Sequence, residues 1–177
     1  MSLDRGQFEL VQRARRGDGE AFAELLRPEY RGAVRLAHAL LRNVDEAEDA
    51  VQEAAFKAWR KLDTFHEGSP LRPWFLAIVA NQCRSMRRAR WWSVRPNEAA
   101  SEEEAESIDV AGSIDLRRAV ARLDYDQRLI LVLRYYMDLP FEEIAQVLGI
   151  SPKAARSRVE RAVNHLRPML RVQEALS

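Results

Sequence analysis

The chain has 177 residues, 47% of them hydrophobic, enough for one mid-sized core or two small ones. Its 28 basic and 27 acidic side chains leave a net charge of +1, and its one cysteine, Cys83, excludes an internal disulfide and a cysteine zinc site. The longest apolar run, Trp74 to Ala80, falls far short of the ~20 residues of a membrane span, and Met1–Arg5 lacks a signal-peptide core. The expectation is therefore a cytoplasmic protein with no membrane insertion.

In chain order, nearly everything reads as helix. Asp4 to Arg16 forms a first helix, stopped by Gly17-Asp18-Gly19. A second stretch runs from about Glu20 to Leu41, with Pro28 predicted to interrupt or kink it. Asn43 reads as an N-cap with Glu46 as its capping-box partner. The helix that follows, to about Leu62, starts with Asp45, Glu46, Glu48 and Asp49, which suit the positive N-terminal dipole. Its Val44, Ala47, Val51, Ala54, Ala55 and Ala58 are expected to face inward. Residues 63–70 have loop composition, and a helix from about Arg72 to Arg90 follows, with Pro73 in its first turn.

Charge divides the chain. Residues 1–92 carry +3, residues 93–113 carry −5 and residues 114–177 carry +3. The middle segment holds Pro96, Gly112 and an acidic run but no apolar periodicity. It is predicted to be a flexible acidic linker between two helical domains, 1–92 and 114–177, in an all-α protein. The second domain is predicted to hold four short helices. Ser113 is expected to cap the first, and Asp124 with Gln127 the second. Pro140 starts a third, Phe141 to Leu148, which Gly149 ends in left-handed conformation. Ser151-Pro152 starts a fourth, to about Leu166. The run Leu129–Leu133 has strand composition, but its flanks favour helix.

The sharpest pattern spans Leu139 to Arg161. A helix with Ile144, Ala145 and Leu148 inward meets a turn at Gly149, and the next helix turns Ala155 and Val159 inward. This is a helix-turn-helix, and its outer face presents Lys153, Arg156, Ser157, Arg158 and Arg161 to a DNA major groove. An ordinary helical hairpin with a solvated basic face would carry the same charges. A second constellation, Arg84, Arg87, Arg88 and Arg90 before Trp91-Trp92, ends a helix where cations are favoured by the dipole in any case. Its functional reading is a DNA surface, with Phe65, Trp74 and Asn81 nearby for stacking and edge recognition. A third is the acidic-polar face of Asp45, Glu48, Asp49, Gln52 and Glu53. That face is either simply solvated or a docking surface for a basic partner helix.

Taken together, these motifs resemble a bacterial RNA polymerase sigma factor of the extracytoplasmic-function (ECF) class. The likeness rests on Asp49, Gln52, Glu53, Phe56, Lys57 and Trp59, then Phe65 to Gly68 leading to Trp74, Phe75, Ile78 and Asn81, then the helix-turn-helix. The resemblance implies that Asp49, Gln52 and Glu53 dock on the β′ clamp helices of core RNA polymerase. It implies that the loop from Asp63 to Pro70, with Phe65 and Asn81, captures a flipped base of the −10 element. Lys57, Trp74, Arg84, Arg87 and Arg88 would flank the single strand and upstream duplex. Lys153, Arg156, Ser157, Arg158 and Arg161 would read the −35 element, the C-terminal domain would also meet the β flap, and an anti-sigma factor would hold the protein inactive. Such a protein is not an enzyme and needs no cofactor or metal. The chain departs from the family pattern at Lys153-Ala154-Ala155, at Glu160 and at Pro73.

Two other readings compete. A stand-alone helix-turn-helix regulator accounts for residues 114–167 but leaves Gln52, Glu53 and the Phe65 loop without a task. A DNA-modifying enzyme would need a metal-ligand cluster or an activated nucleophile, and the sequence offers neither.

Overall fold

The computed structural model describes the backbone of residues 5–93, 116, 119, 120 and 122–174, and their side chains except at 5, 91–93 and 169–174. Of the predicted linker at 93–113, Ser93 belongs to the helix Leu71–Ser93, and the rest, with the Ser113 cap, lies outside the described residues. Among those described there is no strand, and no helix is long and apolar enough to cross a membrane.

Four helices build the N-terminal half: α1 (Arg5–Arg15), α2 (Gly19–Leu41), α3 (Val44–Arg60) and α4 (Leu71–Ser93). Their boundaries follow from local chemistry. Gly17 takes φ +93°, and Asp18 then caps α2 by accepting from the Ala21 amide at 3.0 Å. Arg42 ends α2 in left-handed conformation, its amide donating to the His38 carbonyl at 2.8 Å. Asn43 Oδ1 accepts from the Glu46 amide at 2.9 Å and so starts α3. The Glu46 carboxylate does not complete the expected capping box. It accepts instead from Arg90 Nη1 of α4, at 3.4 Å. Nor does Pro28 interrupt α2, which runs through it. Pro28 is exposed, so the carbonyl its ring leaves unbonded faces water rather than core. Leu36, Leu40, Val51, Phe75, Leu76 and Val79 fill the centre of this bundle.

The C-terminal half contains α5 (Tyr125–Leu131), which continues as a π-helical turn over Val132–Tyr136, then α6 (Phe141–Leu148) and α7 (Pro152–Glu174). Helical flanks thus decide the fate of the Leu129–Leu133 run. The last helix passes the expected end near Leu166 and continues through Pro168. Leu129, Leu133, Leu139, Ile144, Ala155 and Val159 are buried together.

The two halves pack on each other. The Tyr125 hydroxyl donates to the Ala80 carbonyl at 2.6 Å. Arg128, 5% exposed, donates to Leu40 at 3.4 Å across the interface, and to Leu123 at 3.1 Å and Val120 at 3.3 Å within its own half. Arg35 donates to the Tyr136 carbonyl at 3.3 Å, with its guanidinium 4.7 Å from that ring's centre. Gly32 completes the seam: a Cβ there would lie 3.6 Å from Met137 Cε. One continuous cluster of buried residues therefore runs through both halves.

Candidate nucleic-acid interface

α3 separates its two faces sharply. Ala47, Ala50, Val51, Ala54 and Ala58 are buried, while Asp49, Gln52 and Glu53 are exposed on the opposite side. Small alanines bring the helix close to its neighbours and leave the acidic face as a flat exposed strip. One residue departs from the expected pattern, and one adds to the exposed strip. Val44, expected inward, is 54% exposed because it sits at the first turn, beyond the reach of the core. Phe56 is 59% exposed and continues the acidic strip with an aromatic ring, 5.9 Å from the Arg60 guanidinium.

A 3₁₀ turn over Leu62–Thr64 leads into the loop before α4. Phe65 is only 3% exposed, and its ring centre lies 5.0 Å from that of half-buried Trp74. Phe65 is thus a floor to the site, with Trp74 above it. Asn81 is exposed about two turns further along α4, on nearly the same helical face as Trp74. Lys57 of α3 donates to Oε1 of Gln82, a buried side chain beside Asn81 in the chain, so the ammonium is held at the α3–α4 seam. On the other side of the loop, Arg15 of α1 donates to the Phe65 carbonyl and pairs with Glu67. A small pocket between α1 and the loop is lined by Gln7, Phe8, Val11, Phe65, Glu67 and Gly68.

The arginines of α4 divide. Arg88 is exposed. Arg84 and Arg87 lie 5.1 and 5.3 Å from the ring centre of Tyr125 in the C-terminal half, and Arg84 also pairs with Asp126. The structure therefore pairs Phe65 with Trp74 at the loop, ties Lys57 to Gln82 at the α3–α4 seam, leaves Asn81 exposed about two turns along α4 from Trp74, and places Arg84 and Arg87 at the interface between halves. Burial here has electrostatic consequences. It pushes the Tyr125 phenol well above its ordinary range. It lowers Arg128 to about 10, with Arg87 and Arg42 adding repulsion, so the guanidinium remains a cation at neutral pH. It also raises the Cys83 thiol to about 12, which leaves that buried side chain a packing group rather than a nucleophile.

The helix-turn-helix forms as its sequence demands. Gly149 sits at φ +64°, and the Ile150 amide reaches back to the Ala145 carbonyl at 3.0 Å. Ser151 Oγ accepts from the Ala154 amide at 3.2 Å and starts α7. Ala155, Val159 and Ala162 are buried, while Lys153, Arg156, Ser157, Arg158 and Arg161 are all exposed on the outer face. Arg156 is preoriented: its guanidinium lies 4.7 Å from the centre of the Phe141 ring, and Arg134 lies 5.1 Å from the same centre.

Sequence reasoning missed Arg15, Gln82, Tyr125 and Arg128. The first two are polar residues in helices, with no periodic signal to separate them from a solvated face. Tyr125 gave one: it stands four positions before Leu129 and three before Arg128 in the same short helix.

Two family models match the chain, Sigma-70 region 2 over residues 25–93 and Sigma-70 region 4 over residues 113–166. The ECF RNA polymerase sigma factor SigM of Mycobacterium tuberculosis is 30% identical, the alignment covering 94% of this chain and 86% of that one. Among solved structures, CnrH in complex with the cytosolic domain of CnrY superposes with a TM-score of 0.70 at 26% identity, covering 94% of this chain and 98% of that one. The sigma factor RpoE in complex with the anti-sigma factor NepR, from Bartonella quintana, gives 0.64 at 29% identity, covering 85% and 97%. The chain belongs to the sigma-70 family of RNA polymerase sigma factors, in its ECF class. It is a transcription initiation factor and not an enzyme.

Proposed function

We propose that the two faces divide the work of promoter selection. Asp49, Gln52 and Glu53 on α3 dock on the β′ clamp helices of core RNA polymerase. Trp74 and Asn81, with Phe65 as the floor beneath, capture an unstacked −10 base, while Lys57 and Arg88 hold the phosphates around it. Arg84 and Arg87 join the duplex contact once Tyr125 releases them. Lys153, Arg156, Ser157, Arg158 and Arg161 enter the major groove of the −35 element, and the C-terminal domain, residues 114–177, also meets the β flap. Melting requires no catalytic residue, because the unstacking cost of a few kcal/mol is offset by stacking and phosphate neutralisation. Both solved relatives are held by a partner, one of them named as an anti-sigma factor, which supports anti-sigma control of this chain in the cytoplasm.

The observation that carries the reading is the exposure of a basic face on α7 and an acidic face on α3 in one chain. Multi-round transcription in vitro, with purified core polymerase and a genomic promoter library, tests it. Transcripts sharing a pair of upstream motifs are the expected result. Binding of promoter duplex by the protein alone, with no stimulation of active core polymerase, would replace it with a stand-alone regulator.

A further inference from the structure

We infer that Arg15 is the positioning residue of the −10 reading loop, acting through Phe65 without touching DNA. The inference rests on the proposal that this loop reads the −10 element. Arg15 belongs to α1, which precedes the matched region 2 segment starting at residue 25.

The loop needs an external brace. Between Leu62 and Leu71 its main-chain bonds are short-range ones: Thr64 to Lys61 at 2.9 Å, Phe65 to Leu62 at 3.1 Å and Ser69 to His66 at 3.0 Å. Gly68 at φ +100° turns the chain back toward α4. These bonds shape two small turns but do not fix their orientation on the bundle. The buried Leu62 and Phe65 side chains seat the turns on the core, and the Arg15 guanidinium fixes their carbonyls. Its Nε donates to the Leu62 carbonyl at 3.4 Å, one Nη donates to the Phe65 carbonyl, and the other pairs with Glu67. Gln12, one turn earlier on α1, donates to the same Glu67 oxygen.

Three acceptors on three different loop residues thus converge on one planar fork. The Arg15 and Glu67 side chains are 22% and 35% exposed, so water competes only partly. Lysine carries the same charge but lacks the rigid fork, and it cannot hold the three oxygens in this geometry. With its carbonyl anchored, Phe65 keeps its ring beneath Trp74, and Trp74 keeps the surface on which a base would stack.

The test compares holoenzymes carrying the wild-type protein, Arg15→Lys, Arg15→Ala and Asn81→Ala. Each is assayed on promoters with every single-base change in the −10 element and with the −35 element intact or scrambled. Core-polymerase affinity and thermal melting are measured in parallel. Arg15→Lys is the decisive variant, since it preserves charge and helix propensity should alanine fail to fold. Both Arg15 variants are expected to lose about tenfold in −10 discrimination, the equivalent of one net charge-assisted bond, with −35 dependence and core affinity retained. Wild-type −10 discrimination in both Arg15 variants, alongside relaxed discrimination in Asn81→Ala, would overturn the positioning role alone. Unchanged discrimination in all variants, Asn81→Ala included, would remove the loop from −10 reading and the brace with it. Equal loss of −10 and −35 function would show general destabilisation and also overturn it.

Discussion

Arg156, proposed to read the −35 element, is oriented by packing before any DNA arrives. Its guanidinium lies against Phe141, the first residue of α6, so the fork leaves the protein surface already oriented. A side chain ordered before binding loses less entropy when it meets a base. Arg156→Ala is expected to weaken −35 dependence by ~1–3 kcal/mol if it reads a base edge, whereas a promoter lacking the −35 element should be indifferent. Equal effects on both promoters would make Arg156 a phosphate contact. Asn81 is exposed on α4, seven residues past the Trp74 that packs on Phe65. Asn81→Ala is therefore expected to relax −10 preference with core binding intact, measured by transcription from single-base promoter variants. At this scale residue type and spacing located the exposed basic face of α7, because period and turn fix which side of a helix faces out. They did not show that Phe65 is buried or that Arg15 reaches it, since both depend on contacts some fifty residues apart in sequence.

At the scale of helices, boundaries were legible where a side chain closes the end locally. Asn43, Asp124 and Gly149 each cap as their positions demand. Gly149 allows a clean measurement. A Cβ there meets no atom within 4 Å, so Gly149→Ala carries only the cost of the left-handed backbone. The expected destabilisation is ~1–2 kcal/mol, read from chemical denaturation, with the helix-turn-helix otherwise intact. A much larger loss would mean that the turn itself rearranges. Asn43→Ala should cost about 1 kcal/mol by freeing the first turn of α3, the helix proposed to dock on polymerase. What misled at this scale were the break considered at Pro28, the end expected near Leu166 and the second half of the capping box. Pro28 and Pro168 lie inside continuous helices, and Glu46 is drawn to Arg90 on another helix. In each case a tertiary environment, solvent or a charged neighbour, outweighs a local preference.

For the whole molecule, the sequence established two helical blocks and left their relative placement open. The seam that joins them is built from residues with no motif of their own: Arg128 spanning to Leu40, Tyr125 to Ala80, and Arg35 against Tyr136. Tyr125 is its centre. Besides the bond to Ala80 it lies against Arg84 and Arg87, two of the side chains proposed to meet promoter phosphates. The same guanidiniums cannot face both the Tyr125 ring and a duplex, so promoter engagement requires the seam to open there. Tyr125→Ala removes one hydrogen bond and two cation–π contacts, together about 2–4 kcal/mol of domain–domain attraction. Small-angle scattering of the free protein is expected to show a larger radius of gyration in this variant. The reference is roughly 16 Å for a compact chain of this length. Far-UV circular dichroism should stay unchanged, because the helices themselves keep their caps and cores. Transcription with saturating core polymerase should be retained or rise, since the proposed promoter contact of Arg84 and Arg87 needs the seam open. An unchanged radius would show that Arg128 and the apolar seam hold the halves together without Tyr125. Loss of helical signal would instead make Tyr125 a core residue of its own domain.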